Sequence, residues 1–132
     1  MSKPVDVGSL KVGSYVIIDE EPCRIVDLTK SKPGKHGSAK ARVVAIGVFD
    51  GVKRSFVKPV DAQVEVPIID KRTGQVLAVL PNSVQIMDLE NYNVIETPIP
   101  EDSGLASKLS PGVEVEYWSI KDRIKIMNVK SG

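Results

Sequence analysis

The chain has 132 residues and a formal net charge of +1, from 18 Lys and Arg against 17 Asp and Glu. Its single Cys cannot form an internal disulfide, and one Cys with one His is too few ligands for a zinc finger or a His-rich metal centre. The balanced charge gives no reason by itself to expect nucleic-acid binding. With 42% apolar residues, the chain should fold into one ordinary domain or two very small ones.

No part of the sequence looks like a targeting or membrane segment. The first ten residues contain Asp6, Pro4 and Gly8 and lack the apolar run of a signal peptide. The longest apolar stretch, 43–49, is seven residues, whereas a membrane helix needs about 20. We therefore expect a soluble cytoplasmic protein, and the residue counts suggest neither a metal nor a cofactor.

Short strands are predicted along almost the whole chain, because apolar residues alternate with polar ones between turn residues. In chain order, the predicted strands are 15–18, 23–28, 41–49, 53–58, 62–66, 76–80, 84–86, 94–97, 113–118 and 124–129. Asp50-Gly51 is a strong two-residue hairpin signal. The last strand loses its alternation at Met127-Asn128, which suggests a β-bulge.

One segment, 101–109, has a helical pattern, with acids at its start and Lys108 near its end. About ten short strands with regular turns indicate an all-β protein built from barrels or sandwiches. Residues 1–67 carry 11 Lys and Arg against 8 acids, whereas 68–132 carry 7 against 9. Because Pro67 also interrupts a strand-like run, we predict two small barrels, 1–67 and 68–132.

The most informative segment lies between the second and third predicted strands. Five cations occur within thirteen residues, and no acid occurs from Leu28 to Phe49; the cations are Lys30, Lys32, Lys35, Lys40 and Arg42. Gly34 and Gly37 flank Lys35-His36, and glycine permits the positive φ of a tight turn. The sequence therefore predicts a long hairpin loop, 29–42, with Lys35 at its tip.

Several roles are open to this loop, and the simplest is a solvated basic turn. A phosphate-binding P-loop is excluded, because Thr29 stands where that motif needs its first Gly and His36 where it needs Ser or Thr. A catalytic Lys or His is disfavoured, since no carboxylate lies nearby in sequence and an exposed Lys lacks a desolvated pocket. Phosphate contact with RNA is favoured over base stacking, because the cations have no aromatic residues among them.

The segment Ser31-Lys32-Pro33-Gly34-Lys35-His36-Gly37-Ser38-Ala39-Lys40 closely resembles the modification loop of the translation factor 5A family, found in archaea and eukaryotes and related to bacterial elongation factor P. Shorter segments along nearly the whole chain also resemble the family, in the family's order. They include Glu21-Pro22-Cys23-Arg24, Gly47-Val48-Phe49-Asp50, 64–70, Gln85-Ile86-Met87-Asp88 and Val113-Glu114-Val115. Ser38 stands where eukaryotic members usually have a second His, which points to the archaeal form.

The resemblance implies an SH3-like barrel followed by an OB-fold barrel with one short helix. It implies that Lys35, flanked by Gly34, His36 and Gly37, is converted to deoxyhypusine or hypusine by deoxyhypusine synthase. The aminobutyl group comes from spermidine, so the chain is the substrate of an enzyme and not an enzyme itself. The resemblance also implies ribosome binding beside peptidyl-tRNA and promotion of peptide bond formation at stalled, for example proline-rich, sequences.

On this hypothesis the remaining cations of the loop contact phosphates of tRNA or ribosomal RNA; they are Lys30, Lys32, Lys40 and Arg42. The alternative is a ribosome- or transcript-associated RNA-binding module with an unmodified loop. Tyr92, Tyr117 and Trp118 could stack on bases, but the acidic second half favours packing roles for them. Cys23 is interpreted as a strand residue without a redox role.

Overall fold

The computed structural model of the chain describes residues 2–31 and 39–131. Its contacts divide the chain into two compact units, Met1–Ile68 and Ile69–Gly132. The division falls one residue after the boundary predicted from the sequence. That 1–67 and 68–132 are separate domains stays a prediction.

The described residues of the first unit form six strands and one short 3-10 turn, Val7–Ser9. The strands are β1 (Ser2–Asp6), β2 (Tyr15–Ile18), β3 (Glu21–Ser31), β4 (Lys40–Gly47), β5 (Lys53–Pro59) and β6 (Gln63–Pro67). They form a four-stranded antiparallel sheet in the order β2-β3-β4-β5 and a two-stranded sheet of β1 and β6.

The core of this unit lies on one face of the four-stranded sheet, as the alternation in the sequence predicts. Val16, Cys23, Ile25, Val43 and Ala45 are fully buried and belong to one hydrophobic cluster. The next residues along each strand face away from the cluster, so the sheet has an inner, apolar face and an outer face. This arrangement fixes the side of the sheet on which each described cation of the basic hairpin lies.

Several details of the first unit differ from the sequence prediction. The predicted loop, 29–42, is wrong at both ends, because β3 continues through Ser31 and β4 begins at Lys40, and these ends pair with each other. The sequence prediction has no strand at β1, which contains Pro4; β1 pairs only with β6, and a proline is tolerated on such an edge strand. β4 ends at Gly47 rather than Phe49, because residues 48–50 form a turn. Gly47 donates to the Val52 carbonyl at 2.9 Å, so the loop is longer than two residues.

The second unit contains five strands in one antiparallel sheet of order β11-β10-β7-β8-β9. The strands are β7 (Ile69–Val79), β8 (Ser83–Asp88), β9 (Val94–Pro98), β10 (Glu114–Ile120) and β11 (Arg123–Ser131). β7 begins seven residues before the predicted strand, since its polar first half pairs with β10. The register of β10 with β11 skips Met127, which confirms the predicted bulge.

The core of the second unit includes Val76, Val84, Ile86, Val115 and Tyr117. Gly74 lies against this core, where a Cβ would overlap the Cγ2 methyl of Ile86. Glycine is therefore required there by close packing rather than by a turn.

The helix is shorter than the predicted 101–109 and spans Ser103–Ala106 (α1). Asp102 caps it, and its Oδ1 accepts hydrogen bonds from the backbone N–H groups of Gly104 at 2.8 Å and Leu105 at 3.1 Å.

The predicted fold class is confirmed: the chain is all-β, with an SH3-like first unit, an OB-type second unit and one short helix. Among the described residues, no helix is both long enough and apolar enough to cross a membrane.

Candidate functional site

The basic hairpin of the sequence prediction is formed by β3 and β4. The two strands remain paired up to Ser31 and Lys40. The carbonyl of Ala39 accepts a hydrogen bond from the Val60 backbone N–H at 2.9 Å, which ties the start of β4 to the segment after β5. The predicted modification site, Lys35, lies outside the described residues, as do Lys32, Gly34, His36 and Gly37.

The described cations of the hairpin do not form one patch, because the register places them on two faces. Lys30 pairs with the fully buried Ala41 and therefore lies on the inner side of the sheet. Lys40 and Arg42 flank Ala41 along β4 and lie on the outer face. The sequence prediction grouped these three residues, and the structure brings only Lys40 and Arg42 together.

The side chain of Lys30 forms a hydrogen bond within the protein. Its Nζ donates a hydrogen bond to the backbone carbonyl of Gly8 at 2.9 Å. The Gly8 N–H in turn donates to the Val60 carbonyl at 2.8 Å. Lys30 thus links the hairpin to the 3-10 turn, and this contact favours a structural role for its ammonium.

A second lysine on the same inner side is Lys58, which also pairs with Ala41. Its Nζ lies 5.5 Å from the centre of the Phe56 ring, within the range of a cation–π interaction. Both inner cations therefore have partners in the protein.

Lys40 and Arg42 differ from these inner cations. Both are exposed, and neither forms an ion pair within residues 2–31 and 39–131. Exposed cations on a paired strand can contact phosphates without first breaking an internal ion pair. These two side chains are the part of the predicted RNA contact set that the described geometry suits best.

An ion pair fixes the opposite end of the same sheet. Arg54 Nη2 lies 2.8 Å from Asp50 Oδ2, and Asp50 Oδ1 also accepts from the Val52 N–H at 3.0 Å. The hydrogen bond from Arg54 is the main cause that lowers the pKa of Asp50 to about 2. Burial raises the pKa of the neighbouring Cys23 thiol, which fits a structural residue better than a reactive one.

The second unit contains a polar cluster that the sequence prediction missed. Asp88 is 1% exposed, and its carboxylate accepts hydrogen bonds from Arg72 and from the hydroxyl of Tyr117. Its Oδ1 also accepts from the backbone N–H groups of Glu90 at 2.8 Å and Asn91 at 3.1 Å. The three side chains line a cleft of about 260 Å³.

The cluster shifts the pKa values of its members. The hydrogen bond from Arg72 is the main cause that holds the pKa of Asp88 well below its usual range. Burial, followed by the hydrogen bond to Asp88, raises the pKa of Tyr117 to about 12. Because every buried polar side-chain atom in the described part of the chain has a partner, this cluster is interpreted as structural.

The aromatic side chains of the second unit follow the packing prediction in part. Tyr117 and Trp118 are only 3% and 8% exposed, so their rings are not available as a stacking platform. Trp118 Nε1 donates to Glu116 at 2.8 Å, and Lys71 lies over its ring. Of these three aromatic residues, only Tyr92 faces solvent, and it is 69% exposed.

The described residues include no group of three or more His, Cys, Asp or Glu side chains arranged to hold a metal ion.

Comparison with known proteins gives consistent matches along nearly the whole chain. Residues 1–62 match the family model described as translation initiation factor 5A-like, N-terminal. Translation initiation factor 5A of Pyrobaculum islandicum is 59% identical over 130 residues, covering 98% of both chains. The corresponding protein of Thermofilum pendens is 55% identical with the same coverage.

The chain belongs to the translation initiation factor 5A family. Solved structures agree with this. The structure titled eukaryotic translation initiation factor 5A from Methanococcus jannaschii matches with a TM-score of 0.90 and 58% identity, over 97% of this chain and 94% of that one. A family protein from Naegleria fowleri matches with a TM-score of 0.80 and 32% identity, over 98% of each chain. A role as a translation factor follows from membership of this family.

Proposed function

We propose that this factor binds the ribosome next to peptidyl-tRNA and promotes peptide bond formation at stalled sequences. In this proposal a modified Lys35 is the side chain that acts at the ribosome. The observation that carries the proposal is the segment Gly34-Lys35-His36-Gly37, which occurs between β3 and β4 in a member of this family. The proposed modification is deoxyhypusine or hypusine, derived from spermidine. Deoxyhypusine synthase is then a partner, the factor is its substrate, and the factor needs no bound cofactor.

The chemistry of lysine supports this role for Lys35. Its primary amine sits on a flexible stem and becomes a nucleophile once deprotonated, whereas arginine stays charged. An added aminobutyl group lengthens the side chain and adds a second cationic centre. A long, doubly charged side chain suits a narrow cleft lined by RNA phosphates.

The second part of the proposal concerns RNA contact by the described cations of the hairpin. Lys40 and Arg42 are exposed cations on the strand that leaves the 32–38 segment. We propose that they contact phosphates of tRNA or ribosomal RNA, which positions the factor without reading sequence. Lys32 belongs to the same proposed set by its sequence position. Lys30 retains its bond to Gly8 and contributes less.

A reconstituted translation assay tests this function. The reporter encodes a run of prolines, and the factor is purified from its own organism. Addition of the native factor should increase full-length product, whereas a Lys35→Arg variant should give no increase over buffer. A reporter with the prolines replaced by alanines is the control. Equal stimulation by native and Lys35→Arg protein would rule out the proposed role of Lys35.

The same variant separates function from folding. Lys35→Arg should abolish modification by the synthase and leave the thermal midpoint unchanged within error. The measurement is a melting curve of each protein together with its intact mass. A large fall in the midpoint would mean that Lys35 serves the fold instead.

A further inference from the structure

The outer face of the four-stranded sheet carries more cations than the sequence prediction assigned. Register along β2 to β5 places five rows of side chains on this face, of which Ile17–Pro22 carries no charge. The other rows are Tyr15–Arg24–Ile46–Lys53, Asp27–Val44–Ser55, Thr29–Arg42–Val57 and Ser31–Lys40–Pro59. Among the described residues, the face therefore holds four cations and one acid, Asp27.

Arg24 and Lys53 are the new members of this set. They lie in one row, on either side of Ile46, at the end of the sheet away from the 32–38 segment. Both are exposed, and neither is in an ion pair within the part of the chain that the structure describes. By contrast, Arg54 on the inner side is paired with Asp50.

The spacing of the four cations fits a polyanion with regularly spaced charges. Lys40 and Arg42 are two residues apart on β4, about 7 Å, which is comparable with the separation of successive phosphates along a nucleic-acid strand. The row of Arg24 and Lys53 lies four residues further along the sheet, about 14 Å. The hydroxyl groups of Thr29 and Ser55 lie on the same face and can also donate to phosphate, whereas that of Ser31 donates to the Lys40 carbonyl at 3.5 Å.

We infer that the outer face of this sheet is a binding surface for the sugar–phosphate backbone of RNA, and that Arg24 and Lys53 extend it beyond the modification loop. This inference rests on the proposed function, since it gives the RNA contact of that site a defined face and new residues. RNA is favoured over an anionic membrane because Tyr15, the one aromatic side chain in these rows of described residues, is half-buried and does not project as a membrane anchor would. The contacts position the factor on RNA without selecting a sequence.

Binding of a labelled RNA stem-loop by the full-length factor, titrated at several salt concentrations, tests this surface. The test variant is Arg24→Gln/Lys53→Gln. The matched control is Lys11→Gln/Lys58→Gln, which removes the same charge from the same unit outside the outer face. All four side chains are exposed, and melting curves establish that each variant is folded.

The test variant should weaken binding on the order of tenfold and lower the slope of log affinity against log salt by about 1.4 to 1.8, since each lost phosphate contact removes about 0.7 to 0.9. The control variant should change the slope by less than half of that amount. Equal effects of the two variants would overturn the inference, because net charge alone would then explain the binding. Stronger binding to phosphatidylglycerol vesicles than to the stem-loop would also overturn it.

The assay uses recombinant protein with an unmodified Lys35, so its result does not depend on the modification. The first possible outcome is that the test variant binds RNA as tightly as the wild type, while native Lys35 is modified and active. That outcome would refute the proposed RNA-binding surface and leave the proposed function intact. If the test variant loses binding but native Lys35 is unmodified, the surface stands and the proposed function fails.

Discussion

Asp88 and Asp70 are two carboxylates of the second unit that should contribute very differently to its stability. Asp88 is buried and receives hydrogen bonds from Arg72, Tyr117 and two backbone N–H groups. Asp70 also pairs with Arg72, at 3.1 Å, but its side chain is 57% exposed. A buried partner leaves uncompensated donors behind when it is removed, whereas water replaces an exposed one.

Asp88→Asn should therefore lower the free energy of unfolding by about 2 kcal/mol, because the buried acceptor of four donors is weakened, while Arg72 keeps its ion pairs with Asp70 and Glu90. Asp70→Asn, the matched control, should cost less than about 1 kcal/mol. Urea unfolding of each variant at neutral pH gives both values. Equal losses would show that the buried cluster does not stabilise the second unit in the way described.

The same cluster predicts the pH dependence of stability. The pKa of Asp88 is lowered in the folded state, so its contribution is complete above about pH 4 and is lost as the pH falls below that value. The pKa of Tyr117 is raised to about 12, so its contribution is complete below about pH 10 and is lost as the pH rises towards 12.

Unfolding midpoints in urea, measured across this pH range, check the prediction. Tyr117→Phe should remove the alkaline loss and leave the acid loss in place, while Asp88→Asn should reduce the acid loss. An unchanged alkaline loss in Tyr117→Phe would mean that another group causes it.

The β3–β4 hairpin differs between its two faces, and this difference predicts which cations stabilise it. Lys30 donates to Gly8, whereas Lys40 forms no ion pair within the described residues. Lys30→Ala should lower the free energy of unfolding by up to about 1 kcal/mol, the usual value of one exposed hydrogen bond. Lys40→Ala should leave it within about 0.5 kcal/mol. Chemical denaturation compares the two; a larger loss from Lys40→Ala would contradict the assignment of faces.

The strands could largely be predicted from the sequence, because alternation reports which face of a strand is buried. Val113 to Tyr117 and the bulge near Met127 are examples. β1 could not be recognised, because Pro4 is tolerated only through its edge position, which depends on pairing with β6. The first half of β7 is polar, and only its pairing with β10 makes it a strand.

The sequence alone also predicts only part of the candidate site. The density of Lys and Arg around Lys35 is visible in the sequence, but the faces of Lys30 and Arg42 depend on register, which no local pattern contains. Arg24 and Lys53, which the proposed RNA surface adds, are 29 residues apart and lie in one row only because both pair with Ile46 of β4. Asp88 and Tyr117 were likewise joined only by the fold.

For the whole molecule, the net charge of +1 is a sum of +3 in residues 1–67 and −2 in 68–132. The described contacts separate two units, each with its own hydrophobic cluster. We propose that these units are independent domains, although a core of about 65 residues is marginal. In that proposal RNA contact belongs to the first domain, because that domain carries the net positive charge.

A fragment of residues 69–132 tests this division. It should show the far-ultraviolet circular dichroism of strands and a cooperative unfolding transition in urea. The same fragment with Asp88→Asn should unfold at a lower urea concentration. A fragment without a cooperative transition would mean that the second unit depends on the first.

The most direct test of the whole account is the mass of the factor purified from actively growing cells of its own organism, with peptide mapping to locate any added mass. The account predicts the mass of an aminobutyl group, with or without one further oxygen, on Lys35. An unmodified Lys35 in that sample would contradict it.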